Sequence, residues 1–253
     1  MIPLRDENPT RITPYLTWFL LAANIAVYIL QLVSGMQEGR TGLVGGISGW
    51  TMVPIEVTRG VDVATNGLTL QPHWLTLFTA MFMHGGLLHL GGNLLFLLIF
   101  GNNIEDALGH LKYGIFYLLC GVLASAAQIA SNPTSVIPTL GASGAIAGVL
   151  GAYLVLFPRA RVDTLVFLVF FVTRIRVPAF LLLGFWIASQ FFSQFTRAMA
   201  EREGGGVAYL AHIGGFLAGM ALIKLFGAKP PPSGPEGYSD NYPPPTPYGS
   251  YRR

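Results

Sequence analysis

Uncharged apolar runs close to twenty residues long recur along this chain, and no other feature limits its fold so tightly. A helix needs roughly 20 residues to cross a bilayer, and lipid leaves only helices and closed barrels as spanning structures. The stretch YLTWFLLAANIAVYILQL, residues 15–32, is the first such run. Further runs are centred on residues 86–103, 111–131, 141–157, 177–195 and 207–226. The third and fourth would form one overlong run without SNPTSVIPT, residues 131–139, whose proline and polar residues impose a turn. The first run exceeds the about 7–15 residues of a signal-peptide core and has no small-x-small cleavage site, so it reads as a span. The expected fold class is therefore an all-α membrane protein, a bundle of six transmembrane helices.

Composition agrees. Only 11% of the 253 residues are charged, against about 25% in a soluble domain. The net charge of +3 is modest, and no Lys/Arg cluster interleaved with aromatics points to nucleic acid. The single cysteine, Cys120, lies inside an apolar run and reads as a buried structural thiol, with no disulfide framework.

Three segments fall outside the runs. Residues 36–85 form a long first loop with few charges, expected to hold short helices resting in the membrane interface. TLVFLVFFVT, residues 164–173, is too short to cross, is bounded by Asp163 and Arg174, and reads as an interfacial connector. The end of the chain is rich in Pro, Gly and Tyr, and cannot build a core. The division expected is a cytoplasmic segment over residues 1–14, the helical domain over 15–226 and a disordered tail over 227–253.

Orientation follows from Lys and Arg in the loops. With the N-terminus in the cytoplasm, eleven basic residues fall on that side and four on the other: Arg40, Arg59, Arg197 and Arg202. Both termini are then cytoplasmic. The second, fourth and sixth helices run from outside to inside, and their outer ends carry HGGLLHLGGN, GASG and AHIGG. Three polar clusters far apart in sequence thus share one shallow depth.

Polar side chains are costly in lipid and tend to face a protein interior or a watery cavity. Ser143 and His212 each have a plain structural reading as interhelical hydrogen-bond formers. Together they have a chemical one, because an imidazole is the usual base for a hydroxyl nucleophile and must approach it within about 2.6–3.2 Å. Gly144 and Gly148 on one helix, and Gly215 and Gly219 on the other, have the small-xxx-small spacing that allows so close an approach. His89 and Asn93 are four residues apart and share a helical face. Their N–H groups, with backbone amides near Gly141–Ser143, suit a developing oxyanion. His84 lies near the loop end, where a structural or water-holding role fits better.

The chain resembles the rhomboid family of intramembrane serine proteases over about residues 12–226. GASGAIAG is similar to the family's GxSG motif, HGGLLHLGGN to HxxxxHxxxN and AHIGGFLAG to AHxxG, in order on the second, fourth and sixth spans. The resemblance implies that Ser143 is the nucleophile, His212 the general base, His89 and Asn93 oxyanion-hole residues, and Gly141 the turn before the nucleophile. It also implies a Ser–His dyad without a carboxylate, no cofactor or metal, and single-span transmembrane proteins as substrates in a lipid setting, cleaved near the outer face. A bacterial plasma membrane is the expected location. The chain departs from the family at Ala147, where an aromatic often stacks on the histidine, so another ring such as Tyr153 or Phe216 is expected to hold His212. The first loop has Trp74 without a neighbouring arginine. Among rival classes, a metalloprotease using His84, His89 and His212 lacks HExxH, and a transporter relay lacks charges within its spans. The remaining alternative is an inactive relative that binds client helices; such proteins usually lose the serine or histidine, and both are present here.

Overall fold

The computed structural model describes residues 1–37, 48–63, 70–168, 171–200 and 207–228. Arg40, Arg202 and the tail from residue 229 onward lie outside the described residues, so the readings made on them are not addressed. The helices in chain order are α1 (Tyr15–Gln37), α2 (Pro54–Arg59), α3 (Thr76–Thr79), α4 (Leu87–Leu108), α5 (His110–Ser131), α6 (Ser143–Leu156), α7 (Ala179–Met199) and α8 (Tyr209–Leu225). Among the described residues four helices are long and apolar enough to cross a membrane, namely α4, α5, α7 and the Tyr15–Gly35 part of α1; α6 and α8 are apolar but shorter. The protein is mostly helical and integral to the membrane.

Helix α6 is the centre of the bundle. From Gly144 to Tyr153 every residue is buried, so this helix has no lipid-facing stripe and is apolar all round. It is enclosed by α4, α5 and α8. The α6–α8 contact is backbone on backbone. A methyl group on Gly215 would overlap the Gly144 carbonyl, one on Gly219 the Gly148 carbonyl, and one on Gly151 the Phe216 carbonyl. On its other side α6 meets α5, where a Cβ on Gly144 would lie 2.7 Å from the Ala124 methyl. A Cβ on Gly148 would collide with buried Cys120.

Helix α4 runs past the expected end at residue 103 because its acidic last turn is consumed by partners. Buried Glu105 accepts the Leu16 and Thr17 amides at 2.9 and 2.8 Å and the Thr17 hydroxyl at 2.6 Å. It thereby caps α1 by taking two of the first-turn N–H groups, which have no acceptor within the helix. The His110 ring lies 2.5 Å from the same carboxylate. Asp106 accepts the Arg11 and Ile12 amides and pairs with the Arg11 guanidinium at 3.1 Å. Gly109 alone joins α4 to α5, at φ +74°, a left-handed conformation that favours glycine.

The all-α expectation is corrected by a three-stranded antiparallel sheet: β1 (Ile2–Asp6), β2 (Arg161–Leu168) and β3 (Phe171–Pro178), in the order β1-β2-β3. The segment read as an interfacial connector is the β2–β3 hairpin. Its run of Val, Thr, Ile and Phe has strand-forming chemistry, and the ladder runs in register from Arg161 opposite Pro178 to Leu168 opposite Phe171. β1 joins along β2, with an irregularity between Pro3 and Arg5. Buried Asp163 is surrounded by Arg5, Arg174 and Arg176. Asp6 ties the sheet to the helices: its Oδ2 accepts the Tyr153 hydroxyl at 2.7 Å and the Asn103 amide at 2.9 Å. Burial pushes the Asp6 carboxyl up to about 6, against the opposing pull of these hydrogen bonds.

The first loop does hold short helices, α2 and α3 with 3₁₀ turns at Ser48–Trp50, His73–Leu75 and Ala80–Phe82. It is tied to the α5–α6 connection by a bridge between Met52 and Thr139. Trp74 is exposed and meets Phe78 edge to face.

Candidate active site

Ser143 is the first residue of α6, and His212 lies in the first turn of α8. The Ser143 hydroxyl and His212 Nε2 are 2.7 Å apart, within hydrogen-bond reach for an O–H donor. The glycine contacts between α6 and α8 make this distance possible. With side chains at Gly215 and Gly219 the helix axes would separate, and the two polar groups would part with them.

Ahead of Ser143 the chain turns at Gly141, at φ +124°. A side chain there would be strained, and its Cβ would lie 2.8 Å from the His89 ring nitrogen Nε2. Gly141 was expected among the oxyanion donors, and on that point the structure differs: its N–H is engaged by the Ala80 carbonyl at 2.8 Å. Its contribution is shape, a sharp turn that lets the His89 ring come close. The amides of the first turn of α6 remain donors without an intrahelical acceptor.

His89 and Asn93 both belong to α4, one turn apart. The Gly85 amide reaches His89 Nδ1 at 3.4 Å, which leaves the ring proton on Nε2, the nitrogen beside Gly141. Asn93 is buried, and its amide Nδ2 donates to His84 Nε2 at 2.9 Å. His84 in turn donates from Nδ1 to the Phe82 carbonyl at 3.2 Å, fixing the tautomer that accepts from Asn93. Thus His84 orients Asn93, and its ring also meets that of His89 edge to face at 5.2 Å. Behind it, Gln31 of α1 clamps the His84 backbone, accepting its N–H at 2.9 Å and donating to its carbonyl at 3.1 Å.

His212 is held by residues the sequence did not point to. Neither Tyr153 nor Phe216 stacks on it. The Tyr153 hydroxyl is committed to Asp6, ten residues along α6 and so about 15 Å from Ser143. The ring against His212 is Trp186 of α7, with centroids 5.8 Å apart and planes 33° apart, and Phe216 packs behind Trp186 at 6.1 Å. One turn further along α7, Gln190 Oε1 lies 2.8 Å from His212 Nδ1. Their spacing, a tryptophan and a glutamine four residues apart on one helix face, was the available signal; a generic apolar helix hides it. Ala147, at the position where an aromatic was missing, is fully buried within the bundle.

The arrangement is a hydroxyl sharing a hydrogen with an imidazole, beside a second imidazole and a buried amide. It has the parts for acyl transfer.

The Rhomboid domain family model matches residues 71–229, which takes in all three motifs. The chain is 30% identical over 214 residues to the protein named Rhomboid protease GluP of Bacillus subtilis, covering 85% of this chain and 35% of that one. It is 30% identical over 150 residues to Rhomboid protein 1, mitochondrial, of Saccharomyces cerevisiae, covering 58% and 40%. With Rhomboid-related protein 2 of Mus musculus it shares 32% identity over 149 residues, covering 56% and 44%. The chain thus spans well under half the length of these curated relatives.

Proposed function

The chain belongs to the rhomboid family, and from that premise we propose that it is an intramembrane serine endopeptidase that cleaves transmembrane proteins near the outer membrane face. The observation that carries the proposal is the 2.7 Å contact between Ser143 Oγ and His212 Nε2 at the head of a buried helix.

In this reading six helices cross the membrane, α1, α4, α5, α6, α7 and α8, with both termini cytoplasmic in a bacterial plasma membrane. The shortness of α6 then acquires a purpose. Its 14 residues rise only about 21 Å, against a hydrocarbon core of about 30 Å. With its inner end level with the others, Ser143 lies roughly 9 Å below the outer boundary. Water reaches it from that side through the gap above the helix.

His212 takes the proton as Ser143 Oγ attacks the substrate carbonyl. His89 Nε2–H, the Asn93 amide and the first-turn amides of α6 receive the negative charge that forms on the carbonyl oxygen. His212 then gives its proton to the leaving amine, which departs with one half of the substrate. A water molecule, deprotonated by the same imidazole, releases the other half from the acyl-enzyme. Single-span helices are the substrates this geometry suits, because a helix must unwind locally to present a bond to a recessed serine.

The test is labelling of the purified protein with a fluorophosphonate. The parent chain is expected to be labelled at Ser143 and to cleave a single-span model substrate. A parent protein that neither labels nor cleaves would leave the inactive, client-binding alternative in its place.

A further inference from the structure

An imidazole serves as a base toward Ser143 only in one tautomer, with the proton on Nδ1 and the lone pair on Nε2. In serine hydrolases with a carboxylate, that carboxylate accepts a hydrogen bond from Nδ1–H and so fixes the tautomer. Among the described residues, the side chains hydrogen-bonded to His212 are Ser143 and Gln190, and neither is acidic. The group at Nδ1 is the Gln190 amide oxygen, at 2.8 Å, and Gln190 is itself buried.

An amide is an ambiguous partner. Turned one way it offers an oxygen and holds the productive tautomer. Turned the other way it offers N–H, moves the imidazole proton to Nε2, and leaves Ser143 without a base. The surroundings of Gln190 remove the ambiguity. Its Nε2 donates to the Ser189 hydroxyl at 3.1 Å and points to the Trp186 carbonyl at 3.5 Å. The Ser189 hydroxyl donates its own proton to the Trp186 carbonyl at 2.6 Å, so the lone pairs of Ser189 face the amide. The amide nitrogen therefore has acceptors on its side, and the oxygen is left for His212. The Trp186 ring lies along the imidazole from the same helix and limits its rotation.

We propose that Gln190 is a positioning residue for His212, fixing the base in its productive tautomer, with Ser189 and Trp186 fixing the amide. The proposal rests on the reading of Ser143 and His212 as nucleophile and base. It also accounts for the absence of a carboxylate among these neighbours: an anion with no cation beside it is costly to bury, whereas a satisfied amide is not.

The experiment uses the full chain in detergent and in liposomes, with Gln190→Leu and Gln190→Glu. Leucine removes the acceptor; glutamate keeps one. A hydrogen bond to a group that becomes charged during turnover corresponds to a loss of roughly 10- to 100-fold. Gln190→Leu is expected to lose about that factor in kcat and in the rate of fluorophosphonate labelling, with KM little changed, and Gln190→Glu is expected to recover most of it. Nitrogen-15 spectra of histidine-labelled protein give a readout that needs no turnover: His212 should carry its proton on Nδ1 in the parent and lose that preference in Gln190→Leu. A leucine variant as fast as the parent would overturn the proposal, as would a glutamate variant as slow as the leucine one. If Gln190→Leu does not fold, the parent spectrum decides, since a proton on Nε2 there would also overturn it. A parent chain that fails to label while keeping the Nδ1 proton would sink the protease reading instead and leave the Gln190 contact standing.

Discussion

Gly215 faces the carbonyl oxygen of Gly144 so closely that a single methyl group on it would overlap that oxygen. The obstacle is backbone, which cannot rotate away as a side chain could. Gly215→Val should therefore cost at least the roughly 1–3 kcal/mol typical of overpacking and push α8 from α6. The same holds for Gly219→Val against Gly148. Both variants should insert in the membrane and yet lose labelling at Ser143, measured beside a thermal melt. Full labelling in both would show that these contacts do not set the Ser143–His212 distance.

Ser143→Ala and His212→Ala should each abolish cleavage without changing insertion. Groups that act as one unit are strongly non-additive, so the double variant should be hardly slower than either single one. Rates of substrate cleavage in liposomes measure this; a double variant slowed by the product of the two single effects would mean that they act independently.

Asn93→Ala should cost about 2.7–4 kcal/mol of transition-state stabilisation, the usual loss for one oxyanion donor, while KM changes little. His84→Ala should reproduce part of that loss, because His84 holds the Asn93 amide at 2.9 Å. In the background of Asn93→Ala it should add almost nothing. Equal losses from His84→Ala in both backgrounds would place its role elsewhere.

Asp6 gives a pH signature in stability rather than in turnover. Its carboxyl is raised to about 6 from 3.8, so the folded protein holds this proton more tightly than the unfolded chain. The resulting stabilisation is full below about 4 and is lost as the pH rises through about 6. The Tyr153 and Asn103 hydrogen bonds both end on one oxygen, Oδ2, so Asp6→Asn can keep these two without a proton. The asparagine variant should melt higher than the parent near neutral pH, with the gap closing in acid. Melting temperatures across that range decide it, and a gap of constant size would remove Asp6 as the cause.

Membrane orientation can be read with thiol reagents, since Cys120 is buried and should stay silent. A cysteine at Val136, exposed between α5 and α6, should react from outside intact cells. One at Arg161, at the start of β2, should react only after permeabilisation. The reverse pattern would invert the proposed side of water entry.

The apolar helices were legible because each is a local property, a run of apolar residues with turn chemistry at its ends. Helices expected over residues 111–131 and 141–157 lie at His110–Ser131 and Ser143–Leu156. The polar clusters were legible too, since histidine, asparagine and serine stand out where a side chain without a partner is costly. The sheet was not. Residues 165–172 are apolar throughout and show no alternation, so their periodicity could not separate strand from connector, and the partner strand β1 lies more than 150 residues earlier. Burial of Glu105 likewise depends on α1 arriving with unsatisfied amides, that of Asp106 on Arg11 and Ile12 just ahead of that helix, and the engagement of the Gly141 amide on Ala80 arriving from the first loop. Gln190 marks the same boundary: it reads as one of several polar residues in a largely apolar helix until the packing of α7 on α8 sets its oxygen against His212. The sequence by itself determined which segments are apolar enough to suit a bilayer and which polar residues stand out among them, because transfer free energies attach to single residues and short runs. Only the tertiary structure decided which donor meets which acceptor, because hydrogen bonds are short and directional and their partners come from different helices.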